Sequence, residues 1–415
     1  MKRNSNIFLR LIKWFYPGMR VKRWIVLLTL SAILITLSTA RFLVEKSFLY
    51  RALYILITLI GVFLGVLGLR NILSSFIAVF LPHGERELVD MIYRKRYLEK
   101  GPRIVAVGGG TGLSVLLQGL KEYTSNISAV VTVSDDGGSS GRIRQQFDIL
   151  PPGDIRNCLV ALADAPSLMQ DLFQFRFDSS SELSGHSFGN LFITVMTKLT
   201  GDFEKAVKES SKVLAIRGQV IPSTLNKVSL IARYQDGSTK EGEASIPDRR
   251  RLISNIYLNP ADAQATPEAV KAIKEAQAII LGPGSLFTSV IPNLLIKEIR
   301  EAISSSNALK IYICNVMTQP GETDGYSAYD HIKAIADHSS AKIIDYCVVN
   351  STQIPSELIE KYRQDNSFSV AIDIQKMRHA GYRVIEDDIV NARDYVRHDS
   401  VKLARIIIGL VQENY

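Results

Sequence analysis

The chain is poor in cysteine and has no paired metal-binding motif. Its 415 residues include three cysteines, Cys158, Cys314 and Cys347, and no two of them form a Cys-x-x-Cys pair. Structural zinc and a disulfide framework are therefore both disfavoured. With 47% apolar and 22% charged residues, the composition is that of an ordinary globular protein and argues against a disordered chain.

The C-terminal three-quarters of the chain also lack an excess of basic residues. Residues 1–103 carry 17 Lys and Arg against five Asp and Glu, whereas residues 104–415 carry 32 against 36. A nucleic-acid-binding domain would need a basic face, so we do not expect nucleic acid as a partner. The basic excess of the N-terminal part instead suits an anionic membrane surface.

Two runs near the N-terminus contain no charged residue. Trp24–Ala40 spans 17 residues and Ala52–Leu69 spans 18, each close to the roughly 20 residues that cross a bilayer as a helix. Neither run has the polar stripe of a soluble helix, and a cleaved signal peptide would have one run followed by a small-residue cleavage site. We expect a membrane anchor over residues 1–82 with two transmembrane helices; a buried or re-entrant hairpin is the alternative.

Flanking charge predicts the orientation of this anchor. Seven Lys or Arg residues precede Trp24, and seven lie from Arg70 to Arg103 with both included. The loop between the two runs has three. The positive-inside rule then places both termini and the globular domain in the cytoplasm of a multi-pass inner-membrane protein. Residues 71–81 either extend the second helix or lie along the interface, and residues 83–101 are predicted to form a charged helical linker.

Residues 102–415 alternate short β-branched runs with helical patterns, which predicts an α/β, Rossmann-like domain with a mainly parallel sheet and helices on both faces. The apolar runs suit strands covered on both faces. The predicted strands are Ile104–Val107, Ile127–Val133, Ala278–Leu281, Lys310–Cys314 and Ile343–Val349. The predicted helices are Leu113–Tyr123, Ile155–Ala163, Phe188–Leu199, Phe203–Leu214, Pro267–Glu275, Asn293–Ser304, Ala328–Ala336 and Ser400–Val411. Val228–Tyr234 and Thr239–Ile246 flank a Gln-Asp-Gly-Ser turn and predict a small hairpin insertion.

The strongest chemical signal is a glycine-rich loop between the first strand and the first helix of this domain. Gly108–Gly112 reads Gly-Gly-Gly-Thr-Gly, and free amides at a helix start favour phosphate. Leu113 stands where the dinucleotide fingerprint Gly-x-Gly-x-x-Gly needs its last glycine, which disfavours an NAD-linked oxidoreductase. No Gly-Lys-Ser/Thr sequence of a Walker loop is present. A tight turn packed for helix–strand contact is the structural alternative.

Four further loops are expected at the same edge of the sheet, where the carboxyl ends of parallel strands line a ligand crevice. Asp135 and Asp136 can hold Mg²⁺ or accept from ribose hydroxyls, and the Gly/Ser run after them is expected to be mobile and to fold over a ligand. Asp154 caps a helix, while Arg156 pairs either a phosphate or one of the two aspartates. The other candidates in these loops are Ser139, Asn157, His186, Asn190, Gly282, Gly284, Ser285, Asn315 and Thr318.

Six ordered motifs in this part of the chain resemble those of the YvcK family of bacterial gluconeogenesis factors, within the superfamily of the 2-phospho-L-lactate transferase CofD. They are GGGTGLSVLLQGLK, VVTVSDDGGSSGRIR, PPGDIRNCLVAL, GHSFGNL, LGPGSLFTSVIPNLL and NVMTQPGETDGYSAYDHI. The resemblance runs from about Arg103 to the C-terminus, and the membrane hairpin departs from the shorter soluble members of the family.

The resemblance implies a regulator that binds a nucleoside-diphosphate sugar such as UDP-N-acetylglucosamine and serves cell shape and envelope homeostasis during gluconeogenic growth. It implies partners among envelope-synthesis proteins that the sequence does not identify, and we expect a homo-oligomer. It brings no settled enzymatic activity. The transferase relatives suggest the alternative, a Mg²⁺-dependent transferase with Asp154 at the acceptor site. By position in the motifs, the nucleotide contacts would be Gly109, Gly110, Thr111, Gly112, Leu113, Tyr362 and Arg397.

Overall fold

The computed structural model describes residues 21–80, 96–178, 182–339, 343–392 and 395–415. The chain forms two compact units, which divide between Arg96 and Tyr97. Most of the predicted linker, residues 83–101, lies outside the described residues.

The N-terminal unit is a pair of packed helices, α1 (Val21–Val44) and α2 (Phe48–Phe80). Both are long and apolar enough to cross a membrane by length and composition. Their contact depends on small residues: a Cβ at Gly65 would stand 2.8 Å from the Ser31 hydroxyl, and Ser38 and Thr58 share a hydrogen bond of 2.8 Å. Of the two alternatives for residues 71–81, the structure shows the first, because α2 continues to Phe80.

The second unit is built on a seven-stranded sheet in the order β10-β9-β8-β7-β1-β2-β3, and every pairing in it is parallel. The strands are β1 (Ile104–Gly108), β2 (Ile127–Val131), β3 (Gln219–Pro222), β7 (Ala278–Leu281), β8 (Leu309–Ile313), β9 (Tyr346–Asn350) and β10 (Arg383–Asp387). The α/β, Rossmann-like prediction is confirmed. The chain builds outward from β1 to β3 and then returns to the other side of β1, so the carboxyl ends of β1 and β7 form a topological switch point.

Helices surround this sheet, and their apolar faces fill the core. The first eight are α3 (Gly110–Leu120), α4 (Gly138–Phe147), α5 (Gly153–Leu162), α6 (Ser167–Gln174), α7 (Phe188–Thr200), α8 (Phe203–Val213), α9 (Pro267–Glu275) and α10 (Ile291–Leu295). The others are α11 (Lys297–Ser305), α12 (Ala328–Ser339), α13 (Ser356–Gln364), α14 (Ile374–His379) and α15 (Ser400–Asn414). Central strands such as β1 and β7 are buried along their whole length, as expected for strands covered on both faces.

Two smaller antiparallel sheets complete the unit. The predicted hairpin is present as β4 (Ser229–Tyr234) and β5 (Thr239–Glu241), and β6 (Ile253–Asn259) adds a third strand to it. This three-stranded insertion lies between β3 and β7 in the chain. The other small sheet pairs β11 (Val390–Ala392) with β12 (Val396–His398).

Two local expectations are wrong. The Gly/Ser run after Asp136 is not a loop, because Gly138 begins helix α4 and Gly141 packs against the Asp136 carbonyl, where no Cβ would fit. The predicted helix Asn293–Ser304 is two helices, since Ile296 adopts an extended backbone between α10 and α11.

Candidate functional site

The glycine loop is shaped by close backbone contacts. A Cβ at Gly109 would lie 2.5 Å from an Asp154 carboxylate oxygen, and one at Gly112 would lie 2.6 Å from the Pro283 carbonyl oxygen. Gly110 has a φ of +66°, which favours glycine. The loop after β1 therefore touches the loop after β7 on one side and the start of α5 on the other.

A crevice with a cavity of about 410 Å³ lies over this switch point. That volume is in the range of small-molecule sites. Its walls come from the loops after β1, β7 and β8, from the three-stranded insertion and from β12. The sequence-predicted residues that line it are Gly109, Gly110, Thr111, Gly112, Gly284, Ser285, Asn315 and Arg397.

Side chains fix the loops after β7 and β8 to each other. The Asn315 amide donates to the Gly284 carbonyl oxygen at 2.8 Å. Ser285 caps the turn that follows β7 by accepting from the Thr288 N–H at 3.3 Å, and its hydroxyl donates to the Glu322 carboxylate. Burial raises the pKa of Glu322, while Ser285 and the Phe287 N–H oppose the rise. This part of the wall is therefore preorganised.

Strand β12 carries the basic part of the wall. Arg397 is exposed, and its guanidinium lies 5.4 Å from the centre of the Tyr395 ring. The next residue, His398, is bonded through Nε2 to the Cys314 carbonyl oxygen at 3.1 Å, and burial lowers its pKa to about 4. His398 is thus neutral near pH 7, and Arg397 supplies the charge that can meet a ligand phosphate.

Tyr362 does not line the crevice. Its hydroxyl accepts from the Val396 N–H at 3.2 Å and donates to the Val396 carbonyl oxygen at 3.4 Å. The ring is partly buried against the core. The structure therefore places Tyr362 where it holds the residue next to Arg397.

Asp154 lies in the first turn of α5, against the glycine loop, and it is not the helix cap that the sequence predicted, because α5 begins at Gly153 after the N-cap residue Pro152. Burial is the largest cause that raises its pKa to about 7, and the Asp135 carboxylate adds to it. The Gly110 N–H and the Arg156 charge act in the opposite direction. A carboxyl group with such a pKa can exist in either protonation state near neutral pH, as proton-transfer chemistry requires.

Asp135 and Asp136 accept hydrogen bonds from backbone N–H groups and contact the three-stranded insertion. Asp135 accepts from the Gly137 N–H at 2.9 Å, and Asp136 accepts from the Ala244 N–H at 2.8 Å. Glu243, in the short 3-10 turn Glu243–Ser245 of the insertion, shares a hydrogen bond with Asp135. Burial, and then the charges of Asp135 and Asp154, hold the pKa of Glu243 well above its usual range. Two carboxyl groups in this contact share a proton.

These carboxylates fit a magnesium ion only in part. Among the described residues, no group of three or more His, Cys, Asp or Glu side chains is arranged to hold a metal ion. Mg²⁺ commonly takes one or two carboxylates and completes its shell with water and substrate phosphates. Asp135 and Asp136 could supply such carboxylates beside a phosphate held by the glycine loop.

A second polar cluster lies where α4, α5 and α7 begin. His186 Nδ1 and the Ser139 hydroxyl are 3.0 Å apart, and the Asn190 amide donates to the same hydroxyl at 3.1 Å. Burial, and then Arg142, lower the pKa of His186. Arg156 donates to the Asn157 side-chain oxygen at 2.5 Å. These five predicted residues are brought together, but none of them lines the 410 Å³ cavity.

Three other predicted residues have structural roles. Leu113 is wholly buried in the core, so only its backbone could face a ligand. Thr318 is buried, and its hydroxyl accepts from the Phe368 N–H at 2.9 Å. Gly282 turns the chain after β7 with a φ of +75°.

Sequence reasoning missed several residues of the crevice. Glu243 and Glu322 bring carboxyl groups into its wall, and His398 lies beside Arg397. Below the glycine loop, buried Asn293 donates to the Gly108 carbonyl oxygen at 3.2 Å. Of these residues, Asn293 was the one that the sequence could have indicated, because it is an asparagine within an apolar helical run. Nothing local marks Glu243, because the turn that carries it reaches the crevice only through the tertiary fold.

Comparison with known proteins agrees with this architecture. The family model described as 2-phospho-L-lactate transferase CofD matches residues 104–390. A crystal structure of a UPF0052 family member from Bacillus halodurans superposes with a TM-score of 0.72 at 46% identity, covering 74% of this chain and 99% of that one. The fold and site are thus those of a Rossmann-like α/β protein, and the chain belongs to the CofD family.

Within that family the similar proteins are gluconeogenesis factors. A gluconeogenesis factor from Bacillus subtilis is 49% identical over 75% of this chain and 99% of its own length. Putative gluconeogenesis factors from Clostridium acetobutylicum and Nostoc are 44% and 46% identical, each over 98% of this chain and 93% and 94% of their own lengths. The last two matches therefore include the N-terminal helices.

Proposed function

We propose that the chain binds a nucleoside-diphosphate sugar of the UDP-N-acetylglucosamine type and acts as a regulator of cell shape and envelope homeostasis during gluconeogenic growth. The observation that carries the binding part is the crevice at the switch point. There, a glycine loop at the start of α3 faces an exposed Arg397 across a cavity of about 410 Å³. Helix-start amides and a guanidinium are the groups that recognise a diphosphate.

A neighbouring cavity gives this site the length that a nucleotide sugar needs. It measures about 290 Å³, lies at the carboxyl ends of β8 and β9, and shares Asn315 and Val316 with the first cavity. Its walls mix apolar side chains such as Val349 and Ile354 with polar ones such as Ser351 and Thr352. That mixture suits a nucleoside, which has a flat apolar face and polar edges.

The test is calorimetric titration of the full-length protein, purified in detergent, with UDP-N-acetylglucosamine. Arg397→Ala should weaken binding roughly tenfold or more, because a charge-assisted hydrogen bond contributes about 1.5–3 kcal/mol. Thr111→Ala should weaken it less. Arg405→Ala is the matched control, since Arg405 is exposed on α15 away from the crevice lining.

Two results would count against this proposal. If no UDP-sugar binds to the wild type, the proposed ligand class is wrong. If UDP-N-acetylglucosamine binds equally to Arg397→Ala and to the wild type, the ligand lies elsewhere on the protein.

A second candidate is a Mg²⁺-dependent transferase that acts on a nucleoside-diphosphate-activated group. The observation in its favour is the raised pKa of Asp154 directly beside the glycine loop. Turnover separates the two candidates. Release of UDP from UDP-N-acetylglucosamine with Mg²⁺ and an envelope acceptor, lost in Asp154→Asn, would favour the transferase, whereas binding without release favours the regulator.

A further inference from the structure

Arg156 is a buried cation that lacks an ionic partner. Its side chain is 6% exposed. Across the described ranges, no Asp or Glu oxygen lies within 4.0 Å of its guanidinium. The Asn157 side-chain oxygen accepts from Nη2, but Nε is buried with no acceptor. Burying a charge is costly unless it is paired and fully hydrogen-bonded, so an anion that paired with Arg156 would be stabilised here.

The groups around Arg156 add positive charge, which further favours an anion. Its side chain runs from α5 to the first turn of α7, where its Cδ would lie 2.8 Å from a Cβ at Gly189. The start of a helix carries a partial positive charge, although in α7 the Phe188 N–H already donates to the Phe175 carbonyl oxygen at 2.8 Å and the Asn190 N–H to Ser187 Oγ at 3.2 Å. Burial, and then the charge of Arg176, lower the pKa of Arg156 to about 10, while Asp154 and Asp135 oppose this change. A guanidinium, a second arginine and a helix N-terminus thus lie close together.

Neighbouring polar atoms are also available. Asn190 is 2% exposed; its Nδ2 already donates to Ser139, and its Oδ1 is buried without a hydrogen-bond partner, so this oxygen can accept only from the P–OH of a hydrogen phosphate. Helices α4 and α5 both begin at this cluster, and neither has a side-chain cap. On the outer side, Gly138 is exposed, and a Cβ there would meet no atom within 4 Å. The cluster therefore has unsatisfied polar atoms and lies next to the exposed start of α4.

We propose that Arg156, together with the first turn of α7, Asn190 and His186, forms a second anion site for the phosphate group of a further ligand. This site is separate from the crevice of the glycine loop, whose lining includes none of the four. Asp154 accepts from the Gly110 N–H and is also affected by the charge of Arg156, so it adjoins both sites. Because Asp135 and Asp154 weaken the positive field, free phosphate alone should bind weakly.

The probe is inorganic phosphate, added to the full-length protein in detergent and in phosphate-free buffer. Binding is followed by calorimetry and by the rise in Tm. The wild type should show both, and Arg156→Gln should weaken phosphate binding roughly tenfold or more, as expected for the loss of a charge-assisted contact. Arg156→Lys keeps the charge without the planar fork and should lie between the two. Arg405→Gln removes an exposed arginine and should behave as the wild type.

The same variants distinguish a ligand-binding arginine from a structural one. If Arg156 binds an anion, Arg156→Gln should have the same Tm as the wild type or a higher one without phosphate. It should also lose the rise in Tm that phosphate causes. If Arg156 is a structural residue, Arg156→Gln should lower the Tm in every buffer and keep that rise, which would overturn the proposal. If Arg156→Gln does not fold, His186→Asn provides a second test. An undiminished rise in Tm with phosphate in both Arg156→Lys and His186→Asn would also overturn the proposal.

Independence from the nucleotide site is tested by competition. Phosphate should still bind when UDP-N-acetylglucosamine is saturating, and Thr111→Ala should keep its phosphate response. If UDP-N-acetylglucosamine removes phosphate binding, and Thr111→Ala lacks it too, the phosphate occupies the glycine loop and the second site does not exist. If UDP-N-acetylglucosamine does not bind at all, the proposed function fails, while the comparison of Arg156→Gln with the wild type still tests this site.

Discussion

At the scale of single residues, Asp154 couples folding to pH. An ordinary Asp has a pKa near 3.8, whereas that of Asp154 in the fold is about 7. Between these values the folded state holds a proton that the unfolded chain has released, so stability falls as pH rises through this window. The effect is complete above pH 7 and absent below about pH 4.

Asp154→Asn should remove this dependence. Its Tm should match that of the wild type at pH 4 and exceed it increasingly towards pH 7, as measured by thermal unfolding of the purified protein across pH. Asp171→Asn changes an exposed aspartate on α6 and is the matched control. Parallel curves for Asp154→Asn and the wild type would show that the carboxyl group is not held in its protonated form.

The sequence predicted those site residues whose role follows from a strand, a loop and a helix in succession. Gly109–Gly112, Gly284, Ser285 and Asn315 all belong to such loops, and all line the crevice. Glu243 was missed because an insertion brings it to Asp135 from more than a hundred residues away in the chain. The partner of Arg156 was left open between phosphate and aspartate, and only the tertiary fold shows that, among the described residues, no aspartate lies within ion-pair distance of its guanidinium.

At the scale of elements, the packing of α3 on α15 depends on the absence of one side chain. A Cβ at Gly119 would overlap the Ser400 carbonyl oxygen, which is a backbone atom and cannot move without moving α15. Gly119→Ala should therefore lower the free energy of unfolding by at least about 2 kcal/mol, despite the better helix propensity of alanine.

Gly409→Ala provides the control for that substitution. Gly409 lies within α15, and a Cβ there would meet no atom within 4 Å. This change should be neutral or stabilise by up to about 1 kcal/mol. Thermal unfolding of both variants checks the pair, and equal Tm values would show that α3 can shift away from α15.

Elements with a clear apolar period were predicted well, and the others were not. Pro267–Glu275 and Ala278–Leu281 have the predicted bounds, because a proline start and a run of β-branched residues mark them. The edge strands Gln219–Pro222 and Arg383–Asp387 were not predicted, since edge strands are short and partly polar. Helix α4 was mistaken for a loop because its first four residues are glycine and serine, and tertiary packing overrides that weak local preference.

At the scale of the whole molecule, we propose that α1 and α2 anchor the chain in the inner membrane with the second unit in the cytoplasm. The full-length protein should remain in the membrane pellet after alkaline carbonate extraction, because two apolar helices of this length insert stably. A chain that starts at Tyr97 should appear in the soluble fraction. Release of the full-length protein by carbonate, or a mature mass that lacks α1, would contradict the anchor.

Orientation is tested with a single new cysteine. Cys158, Cys314 and Cys347 are buried, so Lys46→Cys, in the loop between α1 and α2, should be the reactive position of the folded protein. A membrane-impermeant thiol reagent should label it from outside the inner membrane. Labelling only after the membrane is broken would place that loop in the cytoplasm.

The three-stranded insertion and the parallel sheet support different parts of the crevice. It joins the sheet's edge strand β3 to the central strand β7 as a separate antiparallel layer, and its turn delivers Glu243 to the crevice while the Ala244 N–H fastens that turn to Asp136. The glycine loop, by contrast, is fixed by the parallel sheet beneath it. Substitutions in the insertion can therefore remove or move the carboxyl group at Glu243 while the backbone of the glycine loop keeps its support.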